Sequence, residues 1–139
     1  MKENSSITYR EIYGQPESFQ AILDTLPAIE KTLDEVFAEP YDQLIFTGCG
    51  TSLYLAQTSA YLWQASNATP ATAVPCSELL FFPENYIKGK RTLVLPITRK
   101  SYTTEVRMAI DKVHTLPGVS SLAITCDPDS SKYNEHYIL

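Results

Sequence analysis

Apolar strands alternate with helices along this chain, and that alternation predicts an α/β protein. The expected form is a three-layer α/β/α sandwich on a mainly parallel sheet, preceded by an N-terminal helix. Three observations carry the prediction. The runs Gln43–Thr47 (QLIFT), Thr92–Ile97 (TLVLPI) and Ser121–Thr125 (SLAIT) are short and nearly continuously apolar, as strands covered on both faces must be. Between them lie segments whose apolar residues recur three and four apart, the signature of helices. The 139 residues are 44% hydrophobic and 19% charged, enough apolar material for the core of one ordinary domain.

The first amphipathic pattern is Ile22, Leu26, Ile29, Leu33, Val36 and Phe37. It predicts a helix ending near Pro40, with Pro27 expected to kink or restart it. Gln43–Thr47 follows as a buried strand closed by Gly48. Leu53–Gln64 is apolar over much of its surface, so this helix is expected to pack on more than one neighbour. Thr72–Val74 is a weaker strand, and Ser77–Phe82 a short helix. In Thr92–Ile97, Pro96 lacks the backbone donor, so the ladder is expected to loosen at the strand's end. Val106, Ile110 and Val113 mark the next helix, stopped by Pro117 and Gly118, and Ser121–Thr125 is the last full strand. Tyr137–Leu139 reads as the start or middle of another. The expected division is a leader and helix over 1–40 and one α/β domain over 41–139.

Ligands of open parallel sheets bind beyond the carboxyl ends of the strands, where loops lead into helices. Two such junctions have unusual composition. Thr47-Gly48-Cys49-Gly50-Thr51-Ser52 joins the first strand to a helix. Its glycines permit tight turns, Thr51 and Ser52 can cap the helix and offer hydroxyls, and the helix start is a ready anion site. A glycine turn with an ordinary cap would account for the same letters. Thr98-Arg99-Lys100-Ser101-Tyr102-Thr103-Thr104-Glu105 gathers hydroxyls and two cations before the next helix, as a phosphate site would. A solvated polar loop explains it too. Two such junctions on one sheet edge favour a shared anion pocket.

These segments resemble the sugar isomerase (SIS) domain family, whose fold is flavodoxin-like. Gly48-Cys49-Gly50-Thr51-Ser52 is similar to its first signature, and Pro75-Cys76-Ser77-Glu78-Leu79 to its Ser-Glu-Phe/Leu segment. Leu95 to Glu105 aligns with its Ser-x-Ser-Gly-x-Thr loop, and Leu122–Thr125 with Ser130-Ser131 resembles the next strand and turn. Arg10–Glu17 looks like the leader of the isomerase half of glucosamine-6-phosphate synthase. Its relatives include fructosamine-6-phosphate deglycases and tagatose-6-phosphate isomerases.

The resemblance implies a phosphosugar-binding site at Gly50, Thr51, Ser52, Thr98, Arg99, Lys100, Ser101 and Thr103, with Cys49 and Glu78 at its rim. In the second loop Thr98 keeps a hydroxyl, while Lys100 stands at the second Ser and Ser101 at the Gly. A lysine would meet phosphate by charge, and a serine would be strained wherever φ must be positive. The resemblance also implies a homodimer and the first half of a two-domain chain of about 330–390 residues. It further implies aldose–ketose isomerisation or deglycation of a hexose or amino-sugar 6-phosphate, with catalytic groups mostly in the other half. A non-catalytic sugar-phosphate sensor or dimerisation domain is the alternative.

Glu78, opening a helix, is also explained by the helix dipole. His114 is expected at the surface and His136 without a catalytic partner. Net charge is −5, which argues against nucleic acid. No segment approaches a membrane span, and the first fourteen residues hold no apolar stretch of signal-peptide length. Cys49, Cys76 and Cys126 lack metal-site spacing. They are expected as buried or half-buried thiols of a cytoplasmic protein with no metal and no cofactor.

Overall fold

The computed structural model describes residues 6–100, 103–127 and 136–138, in two compact units, one up to Glu35 and one from Val36 onward. The first contains α1 (Ile7–Tyr13) and nearly all of α2 (Gln15–Val36). Ser6 caps α1 by accepting the Tyr9 amide at 3.2 Å. Neither α1 nor the first turns of α2 were expected from apolar spacing. Pro27 lies inside α2, which runs through it at the cost of one amide bond toward Leu23; the helix does not restart, and it ends four residues before Pro40.

The second unit is a five-stranded sheet in the order β2-β1-β3-β4-β5. Its strands are β1 (Gln43–Gly48), β2 (Ala71–Pro75), β3 (Thr92–Thr98), β4 (Val119–Thr125) and β5 (His136–Ile138). Every pairing is parallel. The helices are α3 (Thr51–Ser66), α4 (Cys76–Phe81), the single turn α5 (Glu84–Ile87) and α6 (Thr104–Val113). A four-residue turn has no room for apolar periodicity, which is why α5 was not foreseen.

Strand alternation sorts the core into two layers. Ile45, Val74 and Val94 pack with Cys76 and Leu79 of α4, Ile87 of α5, and Val106, Ala109, Ile110 and Val113 of α6. Leu44, Phe46, Leu93 and Leu95, one residue out of step, are equally buried on the other side. There α3 lies on β1, β2 and β3 and buries only Ala56 and Ala60. Those small residues let the helix approach the sheet closely.

Pro96 acts differently from the expectation of a frayed end. It sits opposite Thr47 of β1, and register to β4 is kept at Val94 and again at Ile97. The ladder loosens in mid-strand on one side and recovers. At the opposite sheet edge Asp42 accepts the Arg91 amide at 2.8 Å, and the Arg91 guanidinium pairs with Glu39. These contacts tie the starts of β1 and β3 together. No helix among the described residues is long and apolar enough to cross a membrane.

Candidate functional site

The strand order reverses direction between β1 and β3: the chain leaves β1 toward β2, then returns across β1 to β3. Such a switch point splays the following loops apart and opens a crevice at the strands' carboxyl ends. A cavity of about 280 Å³ lies there, lined by Cys49, Ser52, Ile97, Thr98, Arg99, Lys100, Thr103 and Val106. Two helices begin at it. α3 brings Ser52 from its first turn, and α6 brings Thr103 and Val106.

The first wall depends on two glycines for different reasons. Gly48 faces the α3 backbone so closely that an added Cβ would lie 2.7 Å from the Ser52 carbonyl carbon. Gly50 has φ 56° and ψ −126°, a conformation that costs any other residue strain. The expectation that Thr51 or Ser52 caps α3 is corrected: Gly50 is the N-cap and no side chain caps the helix. The Ser52 and Leu53 amides instead reach back to the Cys49 and Gly50 carbonyls at 3.2 and 3.1 Å. The positive end of α3 therefore opens on the cavity with no side-chain cap.

The second wall is made of side chains. Buried Thr98 donates its hydroxyl to the Lys100 carbonyl at 2.8 Å, and Thr103 donates to the same oxygen at 3.3 Å. Each hydroxyl carries one proton, so in this arrangement both are spent on shaping the loop. The side chain of Thr103 does not cap α6. Arg99 and Lys100 are exposed at the mouth. The groups suited to an anion at this cavity are thus two helix N-termini, the Ser52 hydroxyl and two cations.

Cys49 and Cys76 lie under the first wall. Burial pushes the Cys49 thiol up, opposed by its hydrogen bond with Cys76 and reinforced by the Glu105 carboxylate. Burial pushes Cys76 up to about 12, against a lowering hydrogen bond with Thr47. The Thr47 hydroxyl already donates to the Val74 carbonyl at 2.6 Å. The Cys76 sulfur lies 3.3 Å from the same hydroxyl oxygen. Both thiols are protonated at neutral pH and neither is an activated nucleophile. Cys126 is exposed, which corrects the expectation of three covered thiols.

The structure brings together Cys49, Ser52, Thr98, Arg99, Lys100 and Thr103. Gly50 and Thr51 stand beside the cavity without lining it, and Ser101 lies outside the described residues, as do Ser130 and Ser131. Glu78 is elsewhere: Tyr86 donates its hydroxyl to the Glu78 carboxylate, which holds the tyrosine above its usual range. His114 is exposed at the end of α6, its ring Nε2 3.0 Å from the Ser121 hydroxyl. Sequence reasoning missed Ile97 and Val106, the apolar floor. Their place at the end of a buried strand and in the first turn of the next helix was the available signal. Among the described residues no cluster of His, Cys, Asp or Glu could hold a metal ion.

No family model matches the chain. It is 30% identical over 116 residues to the glutamine–fructose-6-phosphate aminotransferase [isomerizing] of Pyrococcus horikoshii, a match covering 83% of this chain and 19% of that protein. The Tropheryma whipplei enzyme of the same name is 27% identical over 135 residues, covering 91% of this chain and 21% of its own length. The chain therefore spans about a fifth of the curated relatives it matches. Among solved structures, the tagatose-6-phosphate ketose/aldose isomerase of Escherichia coli superposes with a TM-score of 0.83 at 21% identity. That match covers 99% of this chain and 40% of the other. The C-terminal domain of the glucosamine-fructose-6-phosphate aminotransferase of Francisella tularensis gives 0.80 at 20% identity, over 99% of this chain and 40% of its own.

Proposed function

We propose that this chain, SIS-like in sequence and sharing its fold with phosphosugar isomerases, binds a phosphorylated sugar at the β1–β3 switch point. The observation that carries the reading is the convergence of two helix N-termini without side-chain caps, two hydroxyl-bearing walls and Arg99 on one small cavity. The phosphate sits at the mouth, on the start of α3, the Ser52 hydroxyl and the Arg99 and Lys100 cations. The sugar ring lies over Ile97 and Val106. Thr98 and Thr103 hold the second loop in shape and turn their hydroxyls toward the anion only by giving up the Lys100 carbonyl.

The same reading takes residues 1–40 as a leader and 41–139 as the first of two SIS domains in a longer cytoplasmic protein. Aldose–ketose isomerisation moves a proton between adjacent carbons and needs a base beside them. The residues lining the cavity include no carboxylate and no imidazole. In this reading the base and the ring-opening acid come from outside the described residues, and this chain contributes binding and orientation. That same lack of an acid or base at the cavity favours a second reading, a sensor that binds the sugar phosphate without turning it over.

Calorimetric titration with fructose 6-phosphate, glucosamine 6-phosphate and tagatose 6-phosphate tests the first claim, with free fructose and inorganic phosphate as controls. Saturable binding of a phosphosugar, lost in a Ser52→Ala/Arg99→Ala double variant, is the expected result. No heat from any of the three with a folded chain contradicts it. Turnover of the bound sugar by the longer protein would separate the enzyme from the sensor.

A further inference from the structure

The sugar site gives no task to the two thiols under its first wall. The register pairs Gly48 of β1 with Pro75 of β2, so the chain leaves both strands at one level, with Cys49 and Cys76 next in each. Adjacent strands run about 4.8 Å apart, inside the Cα separation of about 4.4–6.8 Å that a disulfide spans. Cys49 packs against the buried cluster that contains Cys76, and the two thiols share a hydrogen bond. Their access to solvent is unequal. Cys49 is half-buried and lines the anion cavity, while Cys76 is 1% exposed. An oxidant small enough to enter that cavity therefore meets Cys49 first, and the thiol behind it is Cys76.

We propose that Cys49 and Cys76 form an oxidation site, closing to a disulfide under hydrogen peroxide and reshaping the first wall of the cavity. The Cys49 sulfur attacks one peroxide oxygen. An S–O bond forms, the O–O bond breaks, and the departing hydroxide takes the thiol proton and leaves as water. The Cys76 sulfur then attacks the sulfenic acid at Cys49. The S–S bond forms, the S–O bond breaks, and the Cys76 proton leaves with the hydroxide as a second water. Two thiols are oxidised, and one peroxide is reduced to two waters. Both thiols are protonated at neutral pH, so the site answers sustained oxidation and not a brief pulse. The new bond is about 2.05 Å long, shorter than any hydrogen bond between the sulfurs, so it draws Cys49 toward α4. The Ser52 amide is bonded to the Cys49 carbonyl at 3.2 Å, and the pull passes through it to the start of α3. A small thiol reverses the bond by exchange at the Cys49 sulfur, which the cavity leaves within reach. Transient bonds of this kind are the ones a reducing compartment allows. Only the consequence for phosphosugar affinity rests on the sugar-binding reading.

Prolonged treatment of the full 139-residue chain with millimolar hydrogen peroxide, followed by chymotryptic mapping, tests the site. Cuts at Tyr54, Tyr61 and Trp63 separate the two cysteines. The expected product is a Cys49–Cys76 linked peptide that holds most of the Cys49 and is lost on reduction with dithiothreitol. In Cys76→Ala the same treatment should carry Cys49 on to the sulfinic acid. The amide spectrum of the oxidised chain should differ from that of the reduced chain most over residues 49–53 and 76–79. Cys126→Ser should leave both results unchanged. Fructose 6-phosphate should bind the oxidised chain about tenfold more weakly. Cys49 still reduced when Cys126 is oxidised, or Cys49 linked to Cys126, overturns the proposal. So does a disulfide that leaves the amides of residues 50–53 in place, or one that leaves the affinity of a sugar-binding chain unchanged. A reduced chain that binds no phosphosugar contradicts the sugar-binding reading instead, and the peptide map and amide spectrum then decide this proposal by themselves.

Discussion

The two junctions that wall the cavity occupy equivalent places, each leading from the carboxyl end of a central strand into a helix, yet they are built from different materials. The β1–α3 junction is backbone: Gly48 yields space to α3, Gly50 supplies the turn, and the helix start is left uncapped. The β3–α6 junction is side chain: two threonine hydroxyls converge on one carbonyl while Arg99 and Lys100 project from the turn. A backbone wall binds an anion with groups already in place and tolerates little change. A side-chain wall can be retuned by substitution, and Lys100, a departure from the pattern that the sequence resembles, falls in it.

Alkaline pH should separate the two most strongly. The thiol of Cys76 under the first wall has its pKa raised from 9.0 to about 12. Below pH 9 it is protonated in folded and unfolded chains alike, and the stability is fully present. Between pH 9 and 12 only the unfolded chain loses the proton, so stability falls, by up to about 4 kcal/mol from this group. Urea unfolding midpoints measured across that range should fall more steeply for the parent than for Cys76→Ala. Parallel curves would show that the thiol is not held neutral by the fold.

Gly48→Ala comes next, with an expected loss of about 3 kcal/mol in chemical unfolding, because the α3 backbone must move to admit the Cβ. A loss below about 0.5 kcal/mol would mean that the first wall is not tightly packed. On the second wall Arg99→Ala should leave stability within about 0.5 kcal/mol and weaken phosphosugar binding about 10- to 100-fold. Arg99→Lys should recover part of the affinity. The smallest effect is expected from Thr51→Ala, which stands outside the cavity lining and should change affinity less than about twofold. A large effect there would move the site onto the outer side of α3.

Much of this architecture was legible because it rests on local periodicity. QLIFT, TLVLPI and SLAIT became β1, β3 and β4, and Val106, Ile110 and Val113 became the buried face of α6. Leu53–Gln64 was expected to pack on more than one neighbour, yet among the described residues α3 buries only Ala56 and Ala60 against the sheet and exposes Tyr54, Leu55, Tyr61 and Leu62. What was not legible depends on distant partners. That Thr98 and Thr103 share the Lys100 carbonyl, or that Glu78 is taken up by Tyr86, follows from turn geometry and not from residue type. The cap of α3 was misplaced because Thr and Ser are good N-caps by type, while the positive φ of Gly50 already begins the helix. Cys126 was expected to be covered by analogy with other free cysteines, yet it follows the last buried residue of β4 and emerges into solvent.

The most direct test of the central claim is the amide spectrum of the 15N-labelled chain during titration with fructose 6-phosphate. If the anion is held between the two walls, the largest saturable shifts fall on Ser52, Leu53, Thr98, Arg99 and the first turn of α6, and free fructose leaves them unmoved. Shifts concentrated away from the β1–β3 junction, or none from a folded chain at millimolar ligand, would contradict the account.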